Sequence, residues 1–330
     1  MTRGIDMHTH FVPNSFPAYA GTETACPWPS MQIEGTNANV IINGANYRTV
    51  PDTSWDGAKR TAEMDASGLR RQVVSPMPEL LSYWMTPRDG AALVGHVNEE
   101  IAALAHAYPD RFTGIGGVPL QDVDLAVRAL EEIRGTDRLA GVEIATHVNG
   151  TSIGDPRFEP FFAAAERLDL PIFVHGLRPA GADRLIGRGL EQTVAFPGDV
   201  ALAIASMITG GTMEKHPALK IAFSHGGGAM AILVARMEQG WNTGGSIREM
   251  IPQPPSVYAR RMYYDSALYS TPVLRLVIDT FGVDHVMIGT DYPFGIMDTD
   301  PLGTIDALGL DAASTALLVE GNARRFFGIE

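Results

Sequence analysis

Cysteine, positive charge and long apolar runs are all scarce in this chain of 330 residues. Its one cysteine, Cys26, has no partner for an internal disulfide, which indicates a reducing compartment and excludes a metal site built from several cysteines. Lys and Arg number 25 against 38 Asp and Glu, so the formal charge is −13, and no local basic run offsets it. A nucleic acid is therefore not expected as the main partner, because a polyanion needs a basic stripe.

The apolar runs fall far short of the roughly 18 to 20 residues that a membrane span requires. The first residues, MTRGIDMHTHF, contain no apolar core of a signal peptide. These two absences predict a cytoplasmic protein with no membrane partner.

The chain alternates short apolar runs with segments that carry apolar residues at helical spacing, such as Ala126, Leu130 and Ile133. Runs such as PIFVHG and KIAFSHGGG are apolar without alternation, as in parallel strands that are buried on both faces. The eight candidate strands are residues 4–10, 72–76, 112–120, 140–146, 171–176, 220–226, 262–268 and 286–293. Eight such units close a barrel, and barrels of this kind run to about 250 residues or more as one domain. The sequence therefore predicts an α/β fold, a single (β/α)8 TIM-type barrel over residues 1–330 whose last helix covers about 311–327.

Residues 14–50 do not fit this repeat, because they are rich in Pro, Gly, Asn and Thr. Within them, Asn43-Gly44 is typical of a hairpin turn between two apolar runs. The segment follows the carboxyl end of the first strand, and loops at that end of a barrel build active sites. We therefore predict a small β insertion over the barrel mouth, with a disordered loop as the alternative.

The first strand ends in Asp6-Met7-His8-Thr9-His10. Residues i and i+2 of a strand point to the same side, so the imidazoles of His8 and His10 converge. Two buried imidazoles need two polar partners, and one divalent metal ion satisfies both.

Three more polar residues stand at equivalent strand ends: His175 after PIFV, His225 after IAFS and Asp291 after VMIGT. All five side chains should point into one mouth, although spacing alone does not decide which of them are ligands. Imidazole and carboxylate together suit Zn²⁺ and other first-row divalent ions, and such a site leaves a position for water. The pKa of a metal-bound water falls to about 7, which provides hydroxide at neutral pH.

Four motifs, HTH at 8–10, VHG at 174–176, SHGGG at 224–228 and GTDYPF at 289–294, make the chain resemble the amidohydrolase superfamily, and more narrowly its decarboxylase branch. Longer segments resemble that branch in the same order, including LLSYWMTPRD, GGVPLQDVDLAV and FFAAAERLDLPIFVH. The resemblance covers the chain from about residue 5 to its end, and the motifs are specific when taken together.

The resemblance implies roles for particular residues. The family's metal ligands, usually of zinc, are matched by His8, His10, His175 and Asp291. His225 matches a catalytic histidine that acts as acid and base beside the metal-bound water, and Arg48 and Arg236 match two arginines that hold the substrate carboxylate. In the family the second arginine comes from a partner subunit, so a homodimer is implied. A guanidinium suits this role because it clamps a carboxylate through two hydrogen bonds.

The implied function is a metal-dependent, non-oxidative decarboxylase, a carboxy-lyase, of a small anionic conjugated acid such as 2-amino-3-carboxymuconate-6-semialdehyde or a hydroxybenzoate. One alternative is a metal-dependent hydrolase or hydratase of the same superfamily that acts on a ring-cleavage product. Another is a non-catalytic barrel that binds a metal or a metabolite.

Two departures from the family pattern leave the substrate open. The chain has His175-Gly176-Leu177 where the family decarboxylase usually has His-Pro-Trp, and Gln192 stands where a Trp is expected. Both positions border the pocket, so the loss of aromatic walls changes its shape and polarity.

Overall fold

A closed parallel β-barrel forms the centre of the structure, which is a computed structural model that describes residues 3–136 and 138–329. In chain order, the strands are β1 (Ile5–Phe11), β2 (Ser30–Glu34), β3 (Asn37–Ile42), β4 (Ala45–Pro51), β5 (Arg71–Pro76), β6 (Phe112–Gly114), β7 (Gly116–Gly117), β8 (Val142–Ala145), β9 (His147–Val148), β10 (Thr151–Ser152), β11 (Ile172–His175), β12 (Ile221–Phe223), β13 (Tyr263–Asp265) and β14 (Val286–Met287). The barrel consists of β1, β5, β6 with β7, β8, β11, β12, β13 and β14, in sequence order and parallel. The predicted (β/α)8 barrel is thereby confirmed.

The barrel closes between its last and first strands. Asp6 forms a parallel bridge with Ile288, and Thr9 forms one with Tyr292. The backbone N–H of His10 donates to the carbonyl of Tyr292 at 2.7 Å. The segment that carries His8 and His10 is therefore fixed on both sides, by β5 and by the residues after β14.

A layer of buried apolar side chains fills the barrel below its carboxyl-terminal edge. This cluster contains Ile5, Met7, Val73, Ile115, Phe173, Ala222, Met287, Ala323, Phe326 and Phe327. Phe173 contacts the ring of His8 with 5.0 Å between ring centroids. The polar strand ends therefore stand directly on a close-packed apolar floor, which restricts their movement.

Helices cover the outside of the barrel, and the apolar stripe of the third, Ala126, Leu130 and Ile133, is buried as its spacing predicts. In chain order, the helices are α1 (Gly57–Ala66), α2 (Pro87–Ala107), α3 (Val123–Thr136), α4 (Glu159–Arg167), α5 (Phe196–Thr209), α6 (Thr212–Lys215), α7 (Met230–Asn242), α8 (Ser246–Met250), α9 (Pro255–Ala259), α10 (Thr271–Phe281), α11 (Pro301–Asp306), α12 (Ala312–Ala316) and α13 (Asn322–Phe327). A π-helical turn, Leu317–Gly321, joins the last two, so the segment predicted as one final helix is continuous with a widened turn at its centre.

The segment between β1 and α1 contains a three-stranded antiparallel sheet, β2–β3–β4. Asn43 and Gly44 both have positive φ, 54° and 73°, as a two-residue hairpin turn requires. Alternate residues of β3, among them Val40 and Ile42, are buried in the main core, so one face of the sheet packs on the barrel.

The register of this sheet shifts once. Asn46 lies opposite Ile41 and Arg48 lies opposite Val40, which leaves Tyr47 as an extra residue on β4. A bulge of this kind bends the strand and redirects the side chains beside it.

One stretch of the described residues, Glu191–Thr209, is long and apolar enough to cross a membrane by length and composition alone, and 44% of it is buried in the fold. It begins with a π-helical turn and continues as α5, whose Val200, Ile204 and Met207 enter the main core. Packing against the barrel accounts for the apolar composition of this inner face.

Candidate active site

His8 and His10 form the first half of a buried cluster at the carboxyl end of β1. Their Nε2 atoms lie 3.1 Å apart, and their rings meet edge to face. Both side chains are fully buried. The alternation of the strand therefore brings the two imidazoles together, as the spacing predicts.

His175, the last residue of β11, and Asp291, which follows β14, complete the cluster. Oδ1 of Asp291 lies 3.2 Å from Nε2 of His10 and 3.5 Å from Nε2 of His8. One potential ligand atom from each of the four residues lies within 4.8 Å of all the others. Residues from three separate strand ends thus converge on one point in the barrel mouth.

Each imidazole is oriented by a partner on its far side. Nδ1 of His8 lies 2.5 Å from Oδ2 of Asp265, and Nδ1 of His10 lies 2.9 Å from the carbonyl of Pro76. Nδ1 of His175 lies 2.8 Å from the carbonyl oxygen of Gly176. These contacts leave Nε2 of every ring free to face the cluster, the arrangement that metal-binding histidines usually have.

The charges of the cluster suit a cation. Burial lowers the pKa of His10 and, together with the neighbouring imidazoles, holds the pKa of His175 well below its usual range. Burial also opposes charge on His8, but the carboxylates around it, first of all Asp265, raise its pKa to about 9. Burial would raise the pKa of Asp291, yet the contact with Nε2 of His10 and the charge on His8 lower it. A cation that binds here therefore competes with a single proton on His8.

Two buried atoms of the cluster, Nε2 of His175 and Oδ1 of Asp291, have no hydrogen-bond partner of good geometry within residues 3–136 and 138–329. An unpaired buried polar atom costs about 1–3 kcal/mol, and a cation between these atoms would remove that cost. Three imidazole nitrogens and a carboxylate oxygen are ligands that first-row divalent ions accept. The residues present therefore fit a divalent metal site.

His225 lies beside the cluster. Its ring centroid is 5.0 Å from that of His175 and 5.4 Å from that of His8, and its Nδ1 is 3.1 Å from Oγ of Ser224. Burial, followed by the charge of His8, lowers its pKa to about 4. A buried neutral imidazole at this position can accept or donate a proton without being a ligand itself.

Asp265, at the end of β13, was not identified from the sequence. Its Oδ2 contacts Nδ1 of His8 and accepts a hydrogen bond from the backbone N–H of His225 at 3.0 Å, while its Oδ1 accepts from the N–H of Gly226 at 2.8 Å. This carboxylate thus fixes both a cluster imidazole and the turn that carries His225. An acidic residue inside the predicted strand 262–268, at the same edge as the other polar residues, was the signal that could have revealed it.

Of the two predicted arginines, the structure brings one to the mouth. The guanidinium carbon of Arg48 lies 4.3 Å from the ring centroid of Phe294, and that ring stacks on His10 at 5.0 Å and 22°. Arg236 lies on the exposed side of α7. Among the described residues of its own chain, it has no hydrogen bond or ion pair with the cluster.

A cavity of about 600 Å³ opens beside Arg48 and Phe294. Gln192, one of the two departures from the family pattern, also lines it. At the other departure, a Cβ on Gly176 would lie 2.8 Å from Cβ of Phe196, and the ring of Phe196 meets His175 at 5.9 Å. The absent side chain at Gly176 therefore lets Phe196 provide an aromatic wall next to the cluster.

A closed barrel with a divalent metal site at the carboxyl ends of its strands defines a metal-dependent barrel enzyme. The sequence matches the model of the amidohydrolase family over residues 5–329. The 2-amino-3-carboxymuconate-6-semialdehyde decarboxylase of Dictyostelium discoideum is 30% identical over 329 residues, which cover 99% of this chain and 92% of that protein. The chain belongs to the amidohydrolase family.

Two further relatives come from bacteria. The γ-resorcylate decarboxylase of a Rhizobium species is 26% identical and covers 81% of this chain and 85% of its own. The crystal structure of 5-carboxyvanillate decarboxylase from Sphingomonas paucimobilis matches with a TM-score of 0.80 at 24% identity and covers both chains completely, a likeness in fold. The predicted superfamily and the predicted reaction class, metal-dependent decarboxylation by a carboxy-lyase, are confirmed by these comparisons.

Proposed function

We propose that this protein decarboxylates a small anionic conjugated acid, of the carboxymuconate semialdehyde or hydroxybenzoate type, without a redox step. The observation that carries the proposal is the buried cluster of four ligands with the imidazole of His225 beside it and the guanidinium of Arg48 above it. Relatives that act on acids of both types support this substrate range.

Decarboxylation breaks the bond between the carbon skeleton and the carboxylate carbon. CO₂ leaves, and the electron pair that remains on carbon takes up one proton, so no oxidant or reductant is consumed. When bound by His8, His10, His175 and Asp291, the divalent cation supplies Lewis-acid polarisation of a substrate oxygen. We propose zinc as that cation, since imidazole-rich sites suit it.

His225 is the group that holds and moves the proton. Its Nδ1 contacts Oγ of Ser224, which leaves Nε2 as the atom available to substrate. Burial lowers its pKa to about 4, so its imidazole is neutral near pH 7. A neutral imidazole can accept a proton from water and pass it to the product carbon.

Arg48 and Arg236 hold the substrate carboxylate, Arg48 from the inserted sheet and Arg236 from a second copy of the chain. The exposed side of α7 that carries Arg236 also exposes 69% of Ile232, and the neighbouring α5 exposes 61% of Leu202. Large exposed apolar side chains on adjacent helices are typical of an interaction surface. We therefore expect a homodimer. We propose the cytoplasm as its location, because a single cysteine fits a reducing compartment.

The test combines metal analysis with CO₂ release. Purified protein and a His8→Ala/His10→Ala variant are analysed for bound metal and assayed on 2-amino-3-carboxymuconate-6-semialdehyde, 2,6-dihydroxybenzoate and 5-carboxyvanillate. We expect about one zinc per chain and CO₂ release from at least one acid, both lost in the variant.

Other outcomes would change the conclusion. Bound metal without CO₂ from any of the three acids would contradict the proposed substrate range. Consumption of a ring-cleavage product without CO₂ would favour the hydrolase or hydratase. A folded protein that contained no metal after purification and reconstitution would overturn the mechanism.

A further inference from the structure

A buried carboxylate joins the inserted sheet to the barrel mouth. Glu79 lies in the short 3₁₀ turn Pro78–Leu81 that follows β5, and its relative exposure is 1%. Its Oε1 accepts a hydrogen bond from the hydroxyl of Tyr47 at 2.6 Å and another from Nη2 of Arg48 at 3.3 Å. Two consecutive residues of the insertion therefore bond to one oxygen of the barrel.

The bulge in β4 explains how both side chains reach the same atom. Consecutive residues of a regular strand point to opposite faces. Tyr47 is the extra residue of the bulge, so the strand bends there and Tyr47 and Arg48 both turn towards Glu79. The bulge in β4 therefore lets both side chains contact the carboxylate of Glu79.

The same contacts fix Arg48 relative to the metal site. Its guanidinium stacks on Phe294, and Phe294 stacks on His10. Among the residues that the structure describes, Arg48 donates a side-chain hydrogen bond to Glu79, and it does so through Nη2 alone. The remaining N–H donors of the guanidinium stay available at the edge of the cavity beside Phe294.

We propose that Glu79 is a positioning residue that holds Arg48 and the inserted sheet where the guanidinium receives the substrate carboxylate. This inference rests on the proposed function, in which Arg48 binds the carboxylate of the substrate. The effect of Glu79 depends on the position of Oε1. The short hydrogen bond from the Tyr47 hydroxyl fixes this oxygen, and Nη2 of Arg48 then donates to it.

The experiment compares Glu79→Ala with Glu79→Gln, whose amide oxygen can still accept both hydrogen bonds. 2-Amino-3-carboxymuconate-6-semialdehyde and 5-carboxyvanillate each keep one carboxylate after CO₂ leaves. For whichever of these two reacts faster, Glu79→Ala should raise KM about tenfold with kcat within about threefold, because Arg48 binds the retained carboxylate equally before and during the reaction. If only 2,6-dihydroxybenzoate reacts, the dissociation constant of phthalate is measured in place of KM. Glu79→Gln should stay within about threefold of wild type in both constants. Glu214→Ala, which removes a carboxylate bonded to the Tyr258 hydroxyl at 2.7 Å elsewhere in the fold, is the matched control and should leave KM unchanged.

A double-mutant cycle separates positioning from a general loss of structure. In an Arg48→Ala background, Glu79→Ala should change KM no further, because the residue through which Glu79 acts is gone. An equal additional increase in KM in that background would overturn the proposal. A Glu79→Gln variant with a lowered KM would overturn it too, since the charge of Glu79 would then oppose the substrate.

Two further measurements keep the failure modes apart. If Glu79→Ala does not fold, Tyr47→Phe removes the 2.6 Å hydrogen bond alone and should raise KM about threefold, and an unchanged KM overturns the proposal.

If the wild-type protein releases no CO₂ from the three acids, the proposed substrate range fails, and the dissociation constant of phthalate, an aromatic dicarboxylate, replaces KM. Weaker phthalate binding in Glu79→Ala but not in Glu79→Gln supports the positioning role, and equal binding in all variants overturns it.

Discussion

The four clustered metal-binding residues and the two arginines are held in the molecule in different ways. Each imidazole of the cluster is oriented by a barrel group, namely Asp265 or the carbonyl of Pro76 or Gly176. Arg48 stands on an inserted sheet with 18% of its side chain exposed, and Arg236 stands on an exposed helix face. Strand ends of a closed barrel are bonded to neighbours on both sides, whereas the inserted sheet packs on the barrel through one face only. In the proposed function, bond breaking therefore takes place in the rigid region, which is the set of barrel strand ends, and substrate recognition takes place in the variable region, which is the inserted sheet and α7.

The sharpest test of the rigid region is His225→Ala. We expect the variant to keep its metal, because His225 is not one of the four clustered ligands, and to lose about 10²- to 10⁴-fold in kcat. Metal content and CO₂ release are measured on the same preparation, with the exposed His106→Ala as control. A His225→Ala variant with wild-type turnover would refute the proton-transfer role.

Asp265→Asn tests whether metal binding depends on the carboxylate that orients the ring of His8. The amide keeps the volume but removes the charge that fixes the ring of His8, so we expect metal affinity to fall about 10- to 100-fold. Competition with a chelator of known affinity measures the change, and Asp279→Asn on the exposed side of α10 serves as control. Equal affinities in all three proteins would show that His8 needs no orienting carboxylate.

The variable region can be tested by mixing Arg236→Ala with His225→Ala. If Arg236 acts across a two-fold interface, a heterodimer contains one complete site, and an equal mixture should recover about a quarter of wild-type activity. Heterodimers are quantified with two different affinity tags. Heterodimers without recovered activity would rule out the shared site.

The smallest effect on catalysis is expected at Glu143, a buried carboxyl beneath His10 with no hydrogen-bond partner among the described residues. Burial raises its pKa to about 8, against about 4.3 in an unfolded chain. Between these values the folded protein keeps a proton that the unfolded chain has released, so this group makes stability fall as pH rises from about 4 to about 8. Glu143→Gln should remove that fall.

The measurement is the free energy of unfolding in urea at pH 5.5 and pH 8 on metal-free protein in the presence of a chelator, because a bound cation would itself lower the pKa of Glu143. We expect the wild type to lose more stability than Glu143→Gln between these two values, by up to a few kcal/mol. Parallel stability profiles for the two proteins would contradict the raised pKa.

Much of the fold was predictable because each barrel strand is a short apolar run between amphipathic helices. The strand ends were less predictable. The run 220–226 forms a strand only over Ile221–Phe223, because His225 and the following glycine have positive φ and turn into the mouth. The final helix contains a π-helical turn that its apolar spacing did not indicate.

The sequence by itself determined the strand-borne residues of the cluster, since alternation in a strand and position at a strand end are local properties. It could not indicate the partners that orient them. His8 and Asp265 are 257 positions apart, and the bulge that turns Tyr47 and Arg48 towards Glu79 exists only because β4 pairs out of register with β3. Such contacts depend on which strands become neighbours when the barrel closes, so only the tertiary structure decided how the ligands are oriented and where the arginines stand.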